Sequence, residues 1–227
     1  MSKNIGFKMS NILKAILLAC SFCLADTSLA QPFSEDIAQF KKQDQLNPPP
    51  ANAILFVGSS SFTKWKDVSN YFPGYTIINR GFGGSTLPDV IRYANEIIVP
   101  YHPKQVVIYC GDNDLASSDA ITPDSVFERF RGLFDLIRAG LPGESIVYVS
   151  IKPSPSRARL KEKMEKVNLL IQTYLSIQPH TAFADVYHPM LNPDGSIKAE
   201  IFLEDSLHMN AKGYAIWQKV ITPYLSK

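Results

Sequence analysis

Four clusters of polar residues in this 227-residue chain have the types and spacings that nucleophilic chemistry needs. The first is Gly58-Ser59-Ser60-Ser61, directly after the apolar run Leu55-Phe56-Val57. A serine where a strand turns into a helix holds its hydroxyl at the sheet edge and its backbone N–H near a helix N-terminus. The hydroxyl can attack a carbonyl and the N–H can receive the resulting oxyanion. Serine is also a favoured helix cap, and capping alone accounts for the cluster equally well. The second cluster, Asn79-Arg80-Gly81-Phe82-Gly83-Gly84-Ser85-Thr86, contains glycines that let backbone amides approach a ligand closely. In the third, Gly111-Asp112-Asn113-Asp114, the Asn113 amide can donate to an oxyanion, although such residues also favour turns.

The fourth cluster is Asp205-Ser206-Leu207-His208. This spacing lets a carboxylate hold one imidazole nitrogen while the other takes a proton from serine. Of the other histidines, His102 and His180 fall just before apolar runs, and His188 falls after one. Position alone leaves His188 open. Other chemistries are poorly matched. The serine cluster lacks the last glycine of G-x-S-x-G, and Thr86 stands where G-x-G-x-x-G needs glycine. No H-E-x-x-H or paired Cys/His spacing occurs, so the reading calls for no metal or organic cofactor.

These clusters need elements to position them. Short apolar, β-rich runs at residues 53–57, 75–78, 105–110, 145–151 and 181–186 read as strands buried on both faces. Between them run helical stripes: Val126, Phe130, Leu133, Ile137, Leu141; then Leu160, Met164, Val167, Ile171, Tyr174; then Tyr214, Trp217, Ile221, Tyr224. Alternation of this kind predicts a five-stranded parallel sheet with helices on both faces. Ligands of open α/β sheets bind at the carboxyl ends of the strands, and all four clusters fall there. So does the loop Lys152-Pro153-Ser154-Pro155-Ser156-Arg157, where Lys152 or Arg157 could meet substrate or the 205–208 loop. A helix start capped by Ser154 or Ser156 explains that loop as well. Arg80 and Lys152 are the candidate substrate contacts.

Composition narrows the class. Hydrophobic residues are 45% and charged residues 19%, and formal net charge is +2, as for an ordinary globular domain. Lys3, Lys8 and Lys14 against Asp26 account for that excess, and no basic block suits a nucleic acid. Residues 1–30 read as a signal peptide: three lysines, a short apolar run, and Ser28-Leu29-Ala30 before a cut after Ala30. The run is short for a membrane span. Leu17-Leu18-Ala19-Cys20 offers an alternative, a lipid anchor at Cys20. Residues 31–50 then form a helix, capped by Ser34, and a lead-in ending in Pro48-Pro49-Pro50; residues 51–227 form the main domain. A mature chain keeps Cys110 alone, a core residue that can form no internal disulfide.

In this order, Gly58-Ser59-Ser60-Ser61, Gly81-Phe82-Gly83-Gly84, Gly111-Asp112-Asn113-Asp114 and Asp205-Ser206-Leu207-His208 resemble the blocks of the SGNH hydrolases, or GDSL-type esterases and lipases. Among members the chain looks similar to small bacterial enzymes of the platelet-activating-factor acetylhydrolase type. The resemblance implies a flavodoxin-like three-layer α/β/α sandwich. It places the nucleophile on Ser60, the acid–base pair on His208 and Asp205, and oxyanion donors on Ser60 N–H, Gly84 N–H and the Asn113 side chain. Members commonly carry aspartate before the nucleophile, where this chain has Ser59. With Ser59, Ser60 and Ser61 adjacent, the Gly-x-Ser register favours Ser60. The expected activity is hydrolysis of short acyl esters, O-acetyl groups on small molecules or glycans, by a secreted or periplasmic enzyme. The alternative is a non-catalytic carbohydrate- or partner-binding module on the same fold.

Overall fold

Alternating apolar residues let each strand feed two cores at once, and this sets the architecture of the computed structural model, which describes residues 31–227. The strands are β1 (Ile54–Gly58), β2 (Ile77–Gly81), β3 (Gln105–Tyr109), β4 (Ser145–Val149) and β5 (Thr181–Ala184). All pair in parallel, in the order β2-β1-β3-β4-β5. Leu55, Val57, Val106, Ile108, Ile146 and Tyr148 point into one core. Ile54, Phe56, Val107, Tyr109, Val147 and Val149 point into the other. Period-two alternation with both faces apolar is what a parallel sheet between helix layers requires.

The helices are α1 (Ser34–Leu46), α2 (Ser60–Thr63), α3 (Val68–Tyr71), α4 (Leu87–Ile97), α5 (Asp112–Ser117), α6 (Pro123–Gly140), α7 (Lys161–Leu175) and α8 (Ala211–Ile221). Stripes on α4, α6 and α7 fill the first core, and α2, α3 and α8 cover the second. The expected α/β/α sandwich is therefore present. Its order matches the flavodoxin-like arrangement, in which β1 and β3 flank the point where the chain reverses direction across the sheet.

Two local expectations are revised and one helix is added. The second strand lies two to three residues later than its apolar run, because Asn79, Arg80 and Gly81 pair with Phe56, Val57 and Gly58 of β1. Arg80 tolerates this position because Asp44 of α1 and the Tyr101 hydroxyl accept from its guanidinium. The segment after it is a helix, α4, with Leu87, Val90, Ala94 and Ile97 buried. Asp89 holds its start, accepting from Thr86 N–H at 3.0 Å. Finally, α1 is preceded by Phe33 in the left-handed region (φ 67°), so Ser34 is its first residue and not its cap. Phe33 instead packs edge-on against Phe82, with ring centroids 5.2 Å apart. Residues 1–30, read as a signal peptide or a segment anchored at Cys20, lie outside the described residues.

Candidate active site

Gly58 makes the turn that delivers the serine cluster. Its φ is +135°, and a Cβ there would sit 1.9 Å from the Tyr109 carbonyl oxygen. Only glycine fits. The chain then enters α2 with Ser59 as cap. Ser59 and Ser61 are buried, while Ser60 keeps part of its surface. Beneath it, Tyr214 of α8 donates its hydroxyl to the Ser61 carbonyl at 2.9 Å. Phe62 meets Trp217 edge-on at 6.0 Å, and Trp65 stacks on Tyr214 at 4.7 Å. The aromatic layer thus ties the serine turn to the last helix, which follows the 205–208 loop directly.

That loop carries the expected acid–base pair. His208 Nδ1 lies 2.6 Å from Asp205 Oδ2, and His208 Nε2 lies 3.0 Å from Ser60 Oγ. Asp205 Oδ1 also accepts from the backbone N–H groups of Leu207 and His208 at 3.0 and 2.9 Å. The hydrogen bond from the His208 ring, joined by these backbone donors, holds the Asp205 carboxyl well below the usual carboxylate range. Asn210 caps α8, accepting from Lys212 N–H at 2.9 Å, and fixes where the loop ends. A hydroxyl, an imidazole and a carboxylate in series can deprotonate serine for attack on a carbonyl. Of the three adjacent serines, Ser60 is the one that meets the imidazole.

The chain contains the Asp-x-x-His spacing a second time. Asp185 Oδ2 lies 2.6 Å from His188 Nδ1 and its Oδ1 accepts from Tyr187 N–H at 3.0 Å, the same local arrangement. His188 is 77% exposed against 17% for His208, and among the described residues no serine hydroxyl bonds its ring. A cavity of about 360 Å³ beside it is lined by Glu165, Gln172, Phe183, Asp185 and Tyr187 and excludes Ser60. The serine–imidazole contact therefore lies at Ser60 and not in that cavity.

Two of the expected oxyanion donors, the Ser60 backbone N–H and the Asn113 amide, converge on one hydroxyl. Ser60 N–H donates to Ser59 Oγ at 2.7 Å, and Asn113 Nδ2 donates to the same oxygen at 3.1 Å and to Ser85 O at 3.0 Å. Gly84 is left-handed (φ 87°), and Gly83 beside it has room for a Cβ 4.0 Å from that of Ser60. Arg157 spans the neighbouring pair, donating from Nη1 to Asp112 Oδ2 at 2.8 Å and from Nη2 to Asn113 Oδ1 at 2.7 Å.

Of the two basic residues expected at substrate, Arg80 has all its nitrogens engaged and Lys152 is buried. Each Arg80 nitrogen has an acceptor: Tyr101 Oη, the Asn79 carbonyl and Asp44. Arg80 therefore anchors α1 to β2. Lys152 is 1% exposed, with its Nζ 5.8 Å from the centre of the Phe202 ring. Burial pushes its amine down to about 8, with nearby Asp112 partly opposing. Cys110 is fully buried, and burial pushes its thiol far up, as suits a core residue. His102 and His180 stand at the starts of β3 and β5, away from the site.

The GDSL-like Lipase/Acylhydrolase family profile matches residues 56–216, and the chain belongs to that family. It is an acylhydrolase of the SGNH, or GDSL, type. It is 26% identical over 170 residues to the platelet-activating factor acetylhydrolase IB subunit alpha1 of Pongo abelii, covering 71% of this chain and 70% of that one. A GDSL-like lipase from Bacteroides thetaiotaomicron superposes with a TM-score of 0.68 at 22% identity, over 82% of this chain and 95% of the other. A variant of an acetyl-xylooligosaccharide esterase from a Geobacillus species superposes at 0.63 with 14% identity, over 78% and 95%.

Proposed function

We propose that the protein is a secreted serine esterase that removes short acyl groups, O-acetyl above all, from carbohydrates or small molecules through an acyl-enzyme on Ser60. The observation that carries this is the 3.0 Å contact between His208 Nε2 and Ser60 Oγ, backed by Asp205. In the first half-reaction Ser60 Oγ attacks the ester carbonyl and His208 takes the serine proton. The oxyanion forms against Ser60 N–H, Gly84 N–H and Asn113 Nδ2, replacing Ser59 Oγ as the acceptor of the first and last. Collapse breaks the bond to the alcohol, which leaves with the proton from His208. Water then attacks the acyl-serine with His208 as base, releasing the carboxylic acid and restoring Ser60.

The short acyl group is supported by the relatives' names, an acetylhydrolase and an acetyl-xylooligosaccharide esterase. Secretion rests on the leader-like composition of residues 1–30, with lipid anchoring at Cys20 the competing fate. Among the described residues no helix is long and apolar enough to cross a membrane.

Purified protein given p-nitrophenyl acetate and then acetylated xylooligosaccharides tests the reading. Turnover with acetate release, lost in Ser60→Ala, is expected. Wild-type turnover no faster than the variant's would overturn it and favour the binding-module alternative. A fluorophosphonate probe should label Ser60 in the wild type.

A further inference from the structure

We propose that Arg157 is a positioning residue of the oxyanion site, setting and polarising the Asn113 amide; this rests on the reading above. The Asn113 side chain lies between two unlike neighbours. At one end the Ser85 carbonyl, an acceptor only, takes a hydrogen bond from Nδ2 at 3.0 Å. At the other the Arg157 guanidinium, a donor only, reaches Oδ1 at 2.7 Å. Turning the amide over would set carbonyl against carbonyl and N–H against N–H. Ser85 and Arg157 together therefore admit one orientation, with an N–H directed at the Ser59–Ser60 turn.

The guanidinium does more than orient. A cation on the amide oxygen draws electron density from the nitrogen and strengthens its N–H as a donor. Arg157 is fixed in turn by Asp112, whose Oδ2 accepts from Nη1 at 2.8 Å and whose Oδ1 accepts from the Asn113 backbone N–H at 3.0 Å. The Arg157 side chain is 17% exposed and that of Asp112 4%, so water does little to weaken the bridge. The residue before it closes the arrangement: Ser156 N–H donates to the Ser206 carbonyl at 3.0 Å, inside the Asp205–His208 loop. Two consecutive residues thus brace the oxyanion amide and the acid–base loop.

A double-mutant cycle on p-nitrophenyl acetate hydrolysis tests this, using Arg157→Met, Asn113→Ala and the pair. Arg157→Met should lower kcat about tenfold or more with KM within about twofold, as expected for a weakened oxyanion donor. In the Asn113→Ala background the same substitution should cost less than about threefold, because the residue it acts through is gone. Equal cost in both backgrounds would overturn the proposal while leaving the esterase reading intact. Full activity in Asn113→Ala alone would remove the amide's role and the proposal with it. If Arg157→Met does not fold, Arg157→Lys decides. It keeps a charge for Asp112 but cannot bridge both partners, so kcat should still fall at least fivefold, and wild-type kcat would refute the bridge.

Discussion

His208 stands 3.0 Å from Ser60 across 148 residues of sequence, and the two meet because α8 returns the end of the chain to the start of the sheet. Ser59 and Ser61 are closer to Ser60 in sequence than any partner, yet both are buried in structural roles. Ser60→Ala should therefore lose at least about 10³-fold in kcat/KM. Ser59→Ala should keep activity within about tenfold and lose about 1 kcal/mol of stability, the cost of a helix cap. Kinetics and urea unfolding on the same preparations separate the two effects, and comparable activity loss in both variants would reopen the register.

The repeated Asp-x-x-His arrangement gives a built-in control. Asp205→Asn should lower kcat by roughly 10⁴-fold, since the imidazole loses the partner that fixes its tautomer. Asp185→Asn, with the same local geometry, should leave kcat within about twofold. Because the Asp205 carboxyl is held low in the folded protein, its contribution to stability is complete above the ordinary carboxylate pKa. That contribution is lost only as pH falls through the depressed value. The side chain is about half exposed, so solvent screening keeps it below ~1 kcal/mol. A pH–rate profile should accordingly show no limb from Asp205 between pH 4 and about 6, and such a limb that vanishes in Asp205→Asn would contradict the assignment.

Much of the fold and of the candidate site is legible in the sequence. The two-sided apolar strands dictated a parallel sheet, and its carboxyl edge gathered the four polar clusters. What escaped were residues whose meaning depends on a distant partner. Arg80 reads as a loop cation until Asp44, thirty-six residues earlier, is seen to draw it into β2. Helix α4 begins directly after a glycine-rich stretch, and Asp89 marks its start only once its bond to Thr86 is known. Asp-x-x-His occurs twice, and spacing alone cannot choose the copy that faces a hydroxyl.

Arg80 supplies a further check. Its contacts with Asp44 and Tyr101, and its position 5.2 Å over the Phe40 ring, belong to the α1 anchor. Arg80→Ala should destabilise by about 3 kcal/mol, the range for breaking a largely buried pair. KM for p-nitrophenyl acetate should stay within about twofold. A tenfold rise in KM at unchanged stability would return Arg80 to the substrate.

Lys152 makes stability depend on alkaline pH. Its folded amine titrates near 8 against an ordinary 10.5, so between these values the unfolded chain binds more protons and stability rises with pH. Below about 8 the full cost of the buried charge, up to ~3 kcal/mol, is present. Lys152→Met should be the more stable protein at pH 7 and lose most of that advantage by pH 10. Urea unfolding at both values measures the difference, and a constant offset between the proteins would show that Lys152 is not the titrating group.

The bond from Tyr214 to the Ser61 carbonyl has a consequence for synthesis. Every strand is made before His208 and α8, so a chain can complete its sheet while still unable to react. Acquisition of activity then dates the docking of the last helix, and an ester substrate becomes a clock for the final event of folding.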